Sequence, residues 1–184
     1  MYILTKTYRT EAVGDVSFFM DNYHSEQWFD MFSTSPDELV DNMKVLERTD
    51  ILKRYVFTNN NKAISIIKPM IDKLEGKEKE NAPSLNNQSY MNIMMSRDDN
   101  TIIHQIVPPI LQTKFKMSHM FYITDNDQGN NVSLKISVKI EYSNMLMKPI
   151  AYFAKSKIKK YALGDVPNNI KTMYEKKNQC FTLQ

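Results

Sequence analysis

The sequence is poor in the residues that announce most chemistries. It has one cysteine in 184 residues, Cys180, so no internal disulfide can form, which fits a reducing compartment. Cys180 is also the fifth residue from the end, one place too early for a prenylation box. The four glycines, Gly14, Gly76, Gly129 and Gly164, are too scattered to build a phosphate-cradling loop. His24, His104 and His119 are far apart, and none has a cysteine or carboxylate at a metal-ligand spacing. No serine or cysteine stands in a nucleophile elbow, and the pairs Asp98 with Asp99 and Asp125 with Asp127 fall in turns, where aspartate is an ordinary turn former. No apolar run approaches eighteen residues, and MYILTKTYRTEAVGD carries charges where a signal peptide needs its apolar centre. The expectation is a chain with no metal, no cofactor, no catalytic residues, no spanning helix and no secretion signal.

What is present is alternation. In VSLKISVKIEY, Val132, Leu134, Ile136, Val138, Ile140 and Tyr142 alternate with polar residues without a break, which is a strand with one apolar and one wet face. After it, Ile150, Phe153, Ala154, Ile158 and Tyr161 recur at helical spacing, with Pro149 suited to a first turn. The spacing predicts a long last strand feeding an amphipathic helix that covers the apolar face. Gly164 to Pro167 is expected to break or kink that helix, and Ile170, Met173 and Tyr174 suggest a further helical piece.

The remaining chain supplies the rest of a sheet. Met1 to Thr10 reads as a first strand. From Glu11 the period becomes helical through Val13, Val16, Phe19, Met20 and Tyr23, and Ser25 can cap a second short helix bearing Trp28, Phe29 and Phe32. Ser35 to Glu38 has the order of a capping box or a tight corner. Met43 to Leu46 and Ile51 to Thr58 read as paired strands, with Asn59 to Lys62 as a turn. The apolar run from Ile64 to Leu74 fits either period, and Glu75 to Gln88 is a mobile polar loop within one domain of residues 1–184. Three strands follow: Ser89 to Ser96, Thr101 to Val107 and Lys114 to Thr124, the last two separated by a bend at Pro108 and Pro109. Asp125 to Asn131 is a hairpin loop. Strands that follow one another without helices after residue 80 argue for an antiparallel α+β domain of six or seven strands. The net charge is +3, and from Lys148 to Lys177 eight lysines face only Asp165 and Glu175, a solvated helix face or a surface for anionic lipid headgroups. Nucleic acid is not expected, since the cluster is lysine without interleaved exposed aromatics.

That order of elements resembles the helix-grip (START-like) superfamily, in which a curved antiparallel sheet wraps a long C-terminal helix around a lipid-sized cavity. The segments carrying the resemblance are the short helices around Phe18, Phe19, Trp28 and Phe29, the strand LKRYVFT, the turn VPPILQTKFKMSHMFYI, and LKISVKIEYSNMLMKPIAYFAKSKIKKYALGDVPNNIKTMYE. Together they are most similar to the VASt domain of GRAM-domain sterol transporters, over roughly residues 8 to 178. Two departures from the family pattern are that these 184 residues include neither a GRAM domain nor a membrane anchor and that the polar loop after Leu74 has no evident counterpart. PRELI-like phospholipid carriers are the second resemblance, although their tyrosine-proline-asparagine-proline element is missing.

The resemblance implies non-enzymatic binding and intermembrane transfer of a hydrophobic lipid, a sterol first and a phospholipid as the alternative. The expected location is intracellular and cytoplasmic, with membrane contact sites as one candidate place, and the expected partners are the lipid and, transiently, an anionic membrane surface. The same fold also serves as a co-chaperone-like interaction module, and as cyclase-type enzymes. On the lipid-carrier reading the cavity is lined by Met91, Ile93, Met95, Ile103, Phe115, Met117, Phe121, Ile136, Val138, Ile140, Phe153 and Ile158, methionine being adaptable enough to admit a bulky ligand. The alternative for each is plain core packing. His119 shares the alternating face of Met117 and Phe121, as a polar orienting group in the cavity or as a satisfied core histidine. Membrane docking falls to Lys155, Lys157, Lys159 and Lys160.

Overall fold

The structure, a computed structural model, describes residues 1–33, 40–59, 65, 68–69, 72, 89–107, 115–126, 130–143 and 145–181. Seven antiparallel strands form one sheet: β1 (Tyr2–Val13), β2 (Val40–Arg48), β3 (Leu52–Asn59), β4 (Ser89–Ser96), β5 (Thr101–Val107), β6 (Phe115–Asp125) and β7 (Asn131–Tyr142). Their spatial order is β1-β7-β6-β5-β4-β3-β2, so the first two strands of the sequence are the two edges. The expected capping box at 35–38, the turn at 60–62, the polar loop at 75–88 and the bend at Pro108 and Pro109 lie outside the described residues, as does most of the apolar run after Ile64.

The opening strand behaves as its alternation requires. Val132, Leu134, Ile136, Val138, Ile140 and Tyr142 of β7 are all buried, each contributing on the order of 1.5–3 kcal/mol by leaving water. β1 pairs with β7 from Tyr2 opposite Tyr142 to Val13 opposite Asn131. The first strand therefore runs three residues past its expected end at Thr10, because Glu11, Ala12 and Val13 still find ladder partners. It stops at Gly14, whose φ of +107° only glycine adopts freely and whose N–H donates to the Asn130 carbonyl at 2.6 Å.

Two short helices then cross from one edge strand to the other. In α1 (Val16–Asn22) the Asp15 carboxylate accepts the Phe18 N–H at 2.7 Å, an N-cap, and Phe18, Phe19 and Met20 are buried. In α2 (Glu26–Ser33) the expected cap is present, with Ser25 Oγ accepting from Trp28 N at 3.2 Å. At the far edge, β2 pairs with β3 through two register shifts, bulges that add twist and bend an edge.

A 3-10 turn (Met145–Met147) leads into α3 (Lys148–Lys160), with Pro149 in the first turn. Gly164 to Pro167 neither breaks nor ends the helix. Instead Tyr161–Asp165 widens into a π-helical turn and continues as α4 (Val166–Phe181). The helix survives because the wider turn, in which the Val166 N–H donates to the Tyr161 carbonyl, absorbs the extra residue just before Pro167. Ile150, Ala151, Ile158, Ala162, Val166, Ile170 and Met173 form its buried stripe against the sheet. Among the described residues no helix is long and apolar enough to cross a membrane.

Candidate functional site

The inner face of the sheet carries one row unlike the rest. Read across the strands, Arg48 pairs with Lys53, Lys53 with Ile93, Ile93 with His104, His104 with His119, and His119 with Val138. The neighbouring row is Tyr55, Met91, Ile106, Met117, Ile140 and Leu4. A polar row thus crosses an otherwise largely apolar surface. His104 and His119 are cross-strand partners with ring centroids 4.2 Å apart, and the turn after α1 brings His24 to 5.0 Å from His104. All three histidines of the protein meet in the interior, between 1% and 3% exposed.

Two tyrosines connect them. The Tyr23 hydroxyl lies 2.6 Å from His104 Nε2 and 3.0 Å from the Tyr161 hydroxyl, which in turn lies 2.8 Å from His24 Nε2. With both histidines neutral this chain is satisfied in either of two proton orders. Either His24 donates to Tyr161, Tyr161 to Tyr23 and Tyr23 to His104, or every donor and acceptor is reversed. Two local irregularities make the contact. His24 has a φ of 54°, a left-handed conformation that costs a non-glycine residue about 1 kcal/mol, and Tyr161 opens the π-helical turn. The Lys53 ammonium donates to the Tyr23 carbonyl at 2.9 Å and the His24 carbonyl at 3.3 Å, and Tyr55 Oη donates to the latter at 3.4 Å.

The cluster is held neutral. Burial pushes His104 and His24 well below the usual imidazole range, with the neighbouring charges of His119 and His24 acting on His104, and those of Lys53, His119 and Arg48 on His24. Burial alone takes His119 down to about 3. Burial, the Tyr161 hydroxyl and Tyr55 push Tyr23 well up. Lys53 falls to about 8 through burial, Arg48 and Arg97, against the opposing pull of Asp21 and Asp50. Among the described residues neither ring nitrogen of His119 has a hydrogen-bond partner, and the same is true of the buried Trp28 Nε1. Among the described residues no group of three or more His, Cys, Asp or Glu is arranged to hold a metal ion. The arrangement can exchange hydrogen bonds with a neutral group, whereas its lysine, Lys53, is already engaged with two carbonyls.

Of the residues expected to line a cavity, Met91, Ile93, Met95, Phe115, Met117, His119, Phe121, Ile136, Val138 and Ile140 share the inner face, and Ile158 packs on it from α3. Ile103 does not belong with them. It pairs with Met94 and Met120 on the opposite face, because a strand alternates and His104 takes the inward position. Phe153 is half-buried beside Lys157, whose ammonium lies 5.9 Å from its ring centroid, while Ala151 takes the buried place. Lys159 and Lys160 are exposed, Lys155 and Lys157 half-buried, and Lys155 lies 4.7 Å over the exposed Tyr152 ring. An open cleft of about 500 Å³ lies elsewhere, lined by Asp15, Val16, Ser17, Met20, Arg97, Asn100 and Asp125. None of the expected lining residues reaches it.

No protein-family model matches the sequence, and no curated protein matches it. Solved structures do match in shape. Norcoclaurine synthase from Thalictrum flavum in complex with dopamine and hydroxybenzaldehyde superposes with a TM-score of 0.60 at 8% identity, over 95% of this chain and 88% of that one. The Zhui aromatase/cyclase from Streptomyces sp. R1128 gives 0.59 at 5% identity, over 92% and 94%. A START superfamily protein from Mycobacterium smegmatis gives 0.54 at 8% identity, over 94% and 99%. What these proteins share with the present chain is its architecture: a seven-stranded antiparallel sheet closed by a long C-terminal helix, the START/Bet v1-like helix-grip fold.

Proposed function

We propose that this protein binds a hydrophobic lipid, a sterol first, between the sheet and the C-terminal helix and carries it between membranes without altering it. The observation that carries this reading is the neutral histidine–tyrosine cluster set in an apolar inner face. A sterol has the matching chemistry, one uncharged hydroxyl on a rigid apolar body, and pockets for such ligands are mostly apolar with a few placed polar groups. A phospholipid, the alternative, would bring a phosphate to a cluster whose nearest cation, Lys53, is already engaged with two carbonyls. The resemblance of LKISVKIEYSNMLMKPIAYFAKSKIKKYAL to the VASt domain points the same way.

Catalysis is the weaker reading even though two of the structural neighbours are named as a synthase and an aromatase/cyclase. A general base works best with a proton affinity near the working pH, and His119, the ring left without a partner, sits at about 3.

Delivery requires contact with a bilayer, and Lys155, Lys157, Lys159 and Lys160 stand on α3 beside the exposed Tyr152 and half-buried Phe153. Each lysine near an anionic surface contributes on the order of 1 kcal/mol, fading within about 8–10 Å at physiological salt. Attachment on this basis is weak and reversible, as a shuttle needs. The test is transfer of a fluorescent sterol, and separately of a fluorescent phospholipid, between vesicles with and without phosphatidylserine. Sterol transfer that slows when Lys155, Lys159 and Lys160 are changed to glutamine, and that slows in high salt, supports the carrier. Phospholipid transfer alone would replace sterol with the alternative, and transfer of neither would overturn the proposal.

A further inference from the structure

Among the described residues His119 is the cluster histidine with no hydrogen bond on either nitrogen, although it is only 3% exposed. Its neighbours explain why. His104 lies tilted against it with ring centroids 4.2 Å apart, Phe121 meets it edge to face at 5.5 Å, and Tyr161 stands 6.0 Å away with its hydroxyl shared between Tyr23 and His24. The Tyr161 hydroxyl and His104 Nε2 are thus engaged with other members of the cluster. A buried donor and acceptor left unpaired destabilise the protein unless something reaches them. The side chain covering the ring from the helix is Tyr161, at the start of the π-helical turn, and such turns within α-helices often lie at functional sites.

We propose that the His119 imidazole is the hydrogen-bonding site for a neutral hydroxyl on an otherwise apolar ligand, reached when the π-helical turn bearing Tyr161 moves away from the sheet. A neutral imidazole presents one N–H and one lone pair, and a hydroxyl presents the complementary lone pair and O–H. The site favours an alcohol over a carboxylate or phosphate, because among the described residues the cluster's lysine, Lys53, is engaged with the Tyr23 and His24 carbonyls. This inference rests on the lipid-carrier reading and specifies which part of the lipid is read, and by which atoms.

The test uses the full chain and two probes, cholesterol and its 3-deoxy analogue 5-cholestene, which differ only in the hydroxyl. Trp28, the one tryptophan, has its ring 4.9 Å from Tyr23 and 6.4 Å from Tyr161, so its fluorescence reports a ligand's arrival without a label. The wild type should bind cholesterol about tenfold more tightly than 5-cholestene, the value of one good buried hydrogen bond. His119→Leu should remove that preference, binding both probes as the wild type binds 5-cholestene, with a thermal midpoint unchanged or raised, because an unpaired polar ring has been replaced by an apolar side chain. A structural role alone would lower the midpoint and leave the preference intact. Equal wild-type affinity for the two probes overturns the inference and leaves the carrier reading standing. Binding of neither probe overturns the inference and, with it, sterol as the carried lipid.

Discussion

Acid should unfold this protein steeply, and the three buried histidines set the size of the effect. Each ring is neutral in the folded chain because burial holds it below its ordinary value of about 6.5. In the unfolded chain each ring takes up a proton as the pH falls through about 6.5. Between that pH and the lowered folded value the unfolded state therefore binds more protons, and stability falls as the pH falls. From pH 7 to pH 5, a ring that stays neutral when folded costs about 1.9 kcal/mol by this linkage, and three cost about 6 kcal/mol. Asp165, which burial pushes up, binds its proton more readily when folded and opposes the loss by one group. A loss of about 6 kcal/mol is comparable with the whole stability of an ordinary domain, about 5–15 kcal/mol.

The assay is urea unfolding at pH 7, 6 and 5. With a slope of about 2 kcal/mol per molar urea, the midpoint should fall by about 3 M across the range. His119→Leu should lose only about two-thirds as much, since one of the three rings no longer titrates. A midpoint that moves by less than about 0.5 M would refute the reasoning, because it would mean that the rings are protonated in the folded protein or that they are not buried together.

Two further substitutions test the frame around the cluster. Lys53→Met removes the ammonium that donates to the carbonyls of Tyr23 and His24 and should cost about 1–3 kcal/mol at pH 7, the penalty for losing the donor to the buried Tyr23 carbonyl while Tyr55 still reaches that of His24, measured by the same urea titration. Gly164→Ala should raise stability by about 0.5–1 kcal/mol, because among the described residues no atom beyond its own helix backbone and chain neighbours lies within 4 Å of the added carbon and alanine suits a helix better than glycine. A lower thermal midpoint for Gly164→Ala would mean that the π-helical turn needs glycine's freedom.

The fold was legible because its strongest signals are unambiguous. Val132 to Tyr142 alternates perfectly, so the inner face of β7 could be assigned residue by residue, and the helical spacing after Pro149 required a helix across it. The cluster was not legible, for a reason that can be located in TIIHQIV. Ile102, Ile103, Ile106 and Val107 place apolar residues on both parities of that strand, so the pattern could not say which face pointed inward. Taking Ile103 as inward turned His104 outward and hid its pairing with His119. The register that brings them together was available in part. Once β5 and β6 are a hairpin and Met117 and Phe121 point inward, only one parity of β5 can face them, and the choice places either His104 or Ile103 beside His119. His24 was further out of reach, since its left-handed backbone leaves no mark in the sequence and Tyr161 meets it only through a π-helical turn that the spacing reads as a break.

These irregularities bear on function through their cost. The left-handed His24 costs about 1 kcal/mol, and the unpaired nitrogens of His119 and Trp28 cost on the order of 1–3 kcal/mol each. Leucine or phenylalanine at the same inward positions would incur none of this and would pack the space between sheet and helix as Ile93, Phe121 and Ile140 already do. Folding alone therefore gives no reason for the cluster, and an apolar interior would serve a purely structural or protein-interaction domain better. A site that exchanges hydrogen bonds with a neutral, mostly apolar guest does give a reason. The guest supplies the missing partner, and part of the cost borne by the empty protein returns as affinity. The cost falls on groups grouped around Tyr161, where the C-terminal helix is least regular, so the place where a guest would be recognised is also the place where the helix can most readily yield to it.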